Sequence, residues 1–229
     1  IVQNSTSVSQ SIPAGSSAVF NPAITYYLSV AFDPNTAGKF VVAYRDAGNS
    51  DYGMMAVGTV SGTSISFGSE IAFNSGAVAY LAVSFDPNTA GKFVVAYSDQ
   101  SASSYGKAIV GTVSGTSASF GSEVQFIGST TYDLWLAFDP NTSGKFVIAY
   151  NNSSSDGRAI VGTVSGTSIS FGSETVFNSG NTSYQSVYFD PNTAGKFVVS
   201  YRDGGNSNYG KAIIGTVSGS SLSFGTEVV

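Results

Sequence analysis

Phe32-Asp33-Pro34-Asn35-Thr36-Ala37-Gly38-Lys39-Phe40-Val41-Val42-Ala43-Tyr44 recurs with small changes from Phe85, Phe138 and Phe189, at spacings of 53, 53 and 51 residues. Self-similarity at a fixed period marks stacked or radial architectures, so it sets the fold before any single residue does. In the copy at Phe85, Leu81-Ala82-Val83-Ser84-Phe85 alternates large and small residues and stops at Asp86-Pro87-Asn88-Thr89-Ala90-Gly91. Pro presets φ, Asp and Asn bond local backbone and Gly supplies positive φ, which predicts a hairpin turn between a strand a and a strand b.

Strand b follows as Lys92-Phe93-Val94-Val95-Ala96-Tyr97, β-branched and aromatic. A polar loop from Ser98 to Ser104 leads to strand c at Lys107–Val113; Ser114-Gly115-Thr116 then turns the chain into strand d at Ser117–Phe120, with Glu123 and Val124 continuing beyond Gly121. Four short strands per repeat without helical periodicity are the content of a propeller blade. A solenoid would use shorter coils, and a sandwich does not call for four near-identical units. The predicted fold is all-β: a β-propeller with four four-stranded blades near 24–76, 77–129, 130–180 and 181–229. Residues 1–23 read as a degenerate N-terminal half repeat, a cap or linker aligning loosely with a c and d strand pair.

Composition narrows the chemistry. Charged residues are 10% of the 229-residue chain, against roughly 25% in ordinary soluble domains. A net charge of −5 offers no basic field for a phosphate backbone, so nucleic acid is not an expected partner. No apolar run is long enough to span a bilayer as a helix, so no membrane insertion is expected. Without Cys or His, thiolate sites, Ser-His-Asp and Cys-His arrangements cannot be built. The chain opens on Ile1 rather than Met and reads as a processed product or part of something longer.

Most acids fall in repeated columns: Asp33, Asp86, Asp139 and Asp190 in the turns, Glu70, Glu123, Glu174 and Glu227 after strand d, Asp46, Asp99 and Asp203 in the b–c loops. A catalytic pair needs two carboxylates in different environments, whereas repeat positions are equivalent, so these columns read as structural. Lys39, Lys92, Lys145 and Lys196 read as snorkelling edge residues. Tyr44, Tyr97, Tyr150 and Tyr201 end strand b and suit a core. The b–c loops carry the most variable text and sit opposite the Asp-Pro-Asn-Thr turns in an antiparallel unit. Asp46, Asp51, Tyr52, Tyr105, Asp203 and Tyr209 are therefore the candidate ligand-binding residues, an aromatic face beside planar polar groups being suited to sugars. Asp46, Asn49 and Asp51 have the oxygen density of a calcium loop but not the spacing of an EF-hand, so no metal or other cofactor is expected. Trp135 stands in a column of small residues, Ser29, Ala82 and Ser186, and reads either as a filler or as a stacking platform.

The repeat, clearest over 32–70 and 189–227, resembles that of uncharacterised tail and virion-associated proteins of marine bacteriophages, and the likeness covers roughly 24–229. It lacks the Trp-Asp ending, the kelch double glycine and the Ser-x-Asp-x-Gly-x-Thr-Trp sialidase box. The resemblance implies a virion or extracellular setting and transfers no catalytic residue. The expectation is a non-enzymatic tail or fibre module that recognises a host surface glycan or protein. The alternative is a structural spacer or decoration module, as a homo-oligomer or with other virion proteins; a glycan hydrolase ranks behind both.

Overall fold

The computed structural model describes residues 15–226, so most of the N-terminal half repeat and Glu227 lie outside the described residues. Four units follow one another: β1 (Thr25–Phe32), β2 (Lys39–Asp46), β3 (Tyr52–Ser61) and β4 (Ser64–Phe67); β5 (Ile71–Phe85), β6 (Lys92–Asp99), β7 (Tyr105–Ser114) and β8 (Ser117–Phe120). The third holds β9 (Val124–Phe138), β10 (Lys145–Asn152), β11 (Asp156–Ser165) and β12 (Ser168–Phe171), and the fourth β13 (Thr175–Phe189), β14 (Lys196–Asp203), β15 (Tyr209–Ser218) and β16 (Ser221–Phe224). All pairings are antiparallel within one sheet that is not closed: β1 lies at one end and β15 and β16 at the other.

The strands that join units do double service. The first half of β5 pairs with β3, with Ala72 opposite Met54, and its second half pairs with β6, with Phe85 opposite Phe93. A 15-residue strand thus completes one unit and opens the next without a loop. Before β1 one side chain keeps the packing of the later joints. Phe20, the repeat counterpart of Phe73, packs 5.0 Å from Tyr44 and 5.6 Å from Phe67, as Phe73 packs on Tyr97 and Phe120.

Strand b alternates between the two neighbouring units, which explains why it is apolar throughout. Val41 and Ala43 point forward into a cluster with Leu81, Val83 and Phe93 of the second unit, while Phe40, Val42 and Tyr44 point back. Each strand c keeps a glycine under the Phe that opens strand b. A Cβ on Gly162 would lie 2.1 Å from the Phe146 ring, and the other three units repeat that approach.

The tyrosine that ends strand b is core. Tyr44, Tyr97 and Tyr150 are fully buried, and their hydroxyls donate to Glu70, Glu123 and Glu174, at 2.7 Å in the first and third units. Lys107 and Arg158 pair with the second and third of these carboxylates. The Glu column therefore works within the scaffold.

The Asp-Pro-Asn-Thr turns form as expected and also reach across units. Asp33 Oδ1 accepts from Asn35 N at 2.9 Å inside its turn, while Oδ2 accepts from Gly91 N of the next unit at 2.9 Å. Asp86 and Asp139 repeat the link to Gly144 and Gly195. Lys39 is no snorkelling edge residue: Nζ donates to Thr59 Oγ1 and to Gly115 O of the second unit, as Lys92 and Lys145 do to their own counterparts. Asn35 Nδ2 adds a third bond, to Pro87 O. Three side chains of one motif thus set the turn and fasten each unit to its successor.

Candidate functional site

The turns gather at one end of the units and the b–c loops at the other, since Phe32 pairs with Phe40 at the turn end while Thr25, Asp46 and Tyr52 meet at the loop end. At that loop end every first strand slips register: between Tyr26 and Ser29, between Ala79 and Ala82, opposite Ala149 and Asn151, and between Ser183 and Ser186. Bulges re-aim side chains. One residue in each takes a left-handed φ: Tyr27 (50°), Tyr80 (45°), Asp133 (42°) and Tyr184 (55°). For bulky L-residues such backbone costs of order 1–3 kcal/mol each and is characteristic of functional sites.

The slips build an aromatic row across the units. Tyr27 and Tyr80 lie 5.1 Å apart by ring centroid, and Tyr80 and Tyr132 5.6 Å apart. Arg45 stands 5.4 Å over Tyr26 and 5.8 Å over Tyr27, and Arg202 4.9 Å over Tyr184. Burial, reinforced by Tyr27, the Asp133 carboxylate and Tyr132, pushes the Tyr80 phenol above its ordinary value. Tyr184 is 73% exposed, so its ring is available from solvent. Beside it, Gln185 replaces the leucine of the other three units, and both of its amide atoms, though buried, have no hydrogen-bond partner among the described residues. Asn151 Nδ2 reaches Thr182 O of the fourth unit, but its Oδ1 is likewise unpaired. Each buried unpaired amide group costs about 1–3 kcal/mol unless something polar reaches it.

The residues expected from sequence share this end of the array without converging on one point. Asp46 and Asp203 are buried; each caps its own loop by accepting from Gly48 N and Gly205 N at 2.9 Å. The Lys211 ammonium, 2.7 Å away, holds the Asp203 carboxyl below the usual carboxylate range. Tyr52 and Tyr105 are half-buried at the starts of β3 and β7, and Tyr209 is 55% exposed. Asp51 joins the aromatic row indirectly, through a 2.7 Å ion pair with Arg45. Of the oxygens weighed for calcium, Oδ1 of Asp46 and Oδ1 of Asp51 are engaged with Gly48 N and Arg45, and no group of three or more acids that could hold a metal occurs among the described residues.

Trp135 faces a cleft of 310 Å³ near the turns, 6.4 Å from Tyr188 by ring centroid, with Val30, Val83 and Leu136 among the walls. No charged side chain lines it. The loop end, with rings and guanidinium groups together, is the better equipped site.

No protein-family model and no curated protein sequence matches the chain. Solved structures do. Sqt1 from Chaetomium thermophilum is 15% identical with a TM-score of 0.57, covering 86% of this chain and 45% of that one. An exo-β-1,3-galactanase from Phanerochaete chrysosporium bound to β-1,3-galactotriose is 11% identical with a TM-score of 0.60, covering 94% and 52%. The Hadza microbial sialidase Hz136 is 12% identical with a TM-score of 0.55, covering 90% and 46%. The chain thus spans about half the length of these propeller-like neighbours, and at such identity the likeness speaks for fold alone. It corrects one expectation from sequence: the fold is shared with two glycan-cleaving enzymes, so the absence of His and the repetition of most acids do not establish a non-enzyme.

Proposed function

We propose that the chain is a β-propeller module of four blades whose loop face recognises a glycan, displayed on a virion and directed at a host surface. The stacked rings of Tyr27, Tyr80 and Tyr132 with Arg45, and the separate pair of Tyr184 and Arg202 on the fourth unit, carry this reading. Sugars offer apolar C–H faces for rings and hydroxyls for planar donors, and the left-handed backbone at Tyr27, Tyr80 and Tyr184 is well accounted for by presentation of those rings. The virion setting rests on the repeat resemblance.

A glycan array probed with the purified chain is the test, with Tyr184→Ala as the variant. Because Tyr184 is exposed, its removal is expected to weaken binding about tenfold while shifting stability by no more than about 0.5 kcal/mol. Reading released sugar in the same incubation separates binding from hydrolysis. A chain that binds no glycan, or a variant that binds as wild type does, overturns the proposal.

A further inference from the structure

The three internal joints between units are copies of one another, and the two ends of the array present the unmatched halves of that joint. On the last unit, the side that would face a successor is open. Val198 is 44% exposed and Ile214 58%, while their counterparts Val94 and Val110 are 0% and 1% exposed in the second unit. β14 alternates buried and exposed residues, whereas β6 and β10 are buried on both sides. Asp190 keeps the bond within its own turn, Asn192 N to Oδ1 at 2.9 Å, and Lys196 keeps Thr216, yet no described residue receives the forward bonds that Asp139, Asn141 and Lys145 make.

The first unit carries the receiving half. Leu28, Val30 and Phe32 are 57%, 61% and 58% exposed, where Leu81, Val83 and Phe85 are 7%, 6% and 4% exposed against the preceding unit. Gly38 N, Pro34 O and Gly62 O are the repeat counterparts of Gly91 N, Pro87 O and Gly115 O, the groups that the first unit's Asp33, Asn35 and Lys39 bind. Phe20 and Gly210 add a fourth match: Gly53, Gly106 and Gly157 are each covered by a Phe ring, whereas nothing described lies within 4 Å of a Cβ placed on Gly210.

We infer that the occupant of each end is a second copy of this chain, docked head to tail so that its first unit sits on the fourth unit as each unit sits on its predecessor. The argument is continuity with an interface the chain already makes three times, in residue type, polar pairing and apolar face. The joint is heterologous, so repeating it yields a closed ring or a growing filament according to whether the rotation closes. This inference is independent of the glycan reading.

Sedimentation velocity over a range of concentrations tests it with two single-face variants, Val30→Glu and Ile214→Glu, checked for folding by circular dichroism. Wild-type chain is expected to associate, and each variant alone to sediment as a monomer. An equimolar mixture should give a 1:1 complex and nothing larger, because only one intact pair of faces remains. Lys196→Ala should weaken wild-type association about threefold, the loss of one exposed polar contact. Wild type that stays monomeric, or a variant that self-associates as wild type does, overturns the inference, as does a mixture without a complex.

Discussion

Asp139→Ala is expected to lower the stability of the chain by about 3 kcal/mol or more, and clearly further than Asp190→Ala, the same change in the same motif without a bond to another described unit. Asp139 is fully buried and accepts two backbone N–H groups, from Asn141 in its own turn and from Gly195 of the fourth unit, each at 2.9 Å. Hydrogen bonds to a charged group contribute about 1.5–3 kcal/mol each, and Ala leaves both donors without the carboxylate. Among the described residues Asp190 bonds only within its own turn, to Asn192 and Thr193. For a chain of this size the loss corresponds to a fall in Tm of roughly 6–12 °C. Denaturant midpoints for the two variants and wild type check it. Equal midpoints for Asp139→Ala and Asp190→Ala would mean that the bond between units carries no weight and that the motif is a turn only.

That contrast also marks how far the sequence could be read. The repeat, the strand order within it, the Asp-Pro-Asn-Thr turn and the opposition of turns to loops follow from local chemistry, because Pro, Gly and Asp act within a few residues of themselves. The second oxygen of Asp33 acts on Gly91, 58 residues away, and no local pattern carries such a bond. The passage from one unit to the next was hidden for a related reason: β5 runs unbroken through the boundary expected near residue 76, with no turn residue there to punctuate it. Tyr44 and its counterparts were legible as core because they end a β-branched run. Tyr27, Tyr80 and Tyr184 were not legible as a site, since a tyrosine in left-handed backbone contradicts the preference that makes Gly and Asn readable there. Asp46 and Asp203 illustrate the converse. Their loop position suggested display, but an Asp just before a short turn satisfies the turn's own N–H groups first.

Alkaline solution should unfold the chain steeply, with stability falling by about 4 kcal/mol per pH unit once the pH exceeds about 10. Tyr44, Tyr97 and Tyr150 are fully buried, and ionising any of them places a phenolate in the core against the carboxylate of Glu70, Glu123 or Glu174. Burial first, and the glutamate second, push all three phenols far above their ordinary value of 10.0. The folded state therefore holds these protons more tightly than the unfolded chain does. Their contribution is intact below pH 10 and is lost as the pH rises from there toward the folded values. Each such tyrosine gives a slope of about 1.4 kcal/mol per pH unit, and three give about 4, enough to consume an ordinary stability of 5–15 kcal/mol within a few pH units. Urea midpoints measured at half-unit steps from pH 9 to 11.5 read the slope. Tyr97→Phe lowers stability at pH 8 by the loss of its bond to Glu123, about 1.5–3 kcal/mol, yet should cut the alkaline slope by roughly a third. A stability that stays flat to pH 11, or a Tyr97→Phe slope equal to that of wild type, would mean that these hydroxyls are not held neutral by the fold.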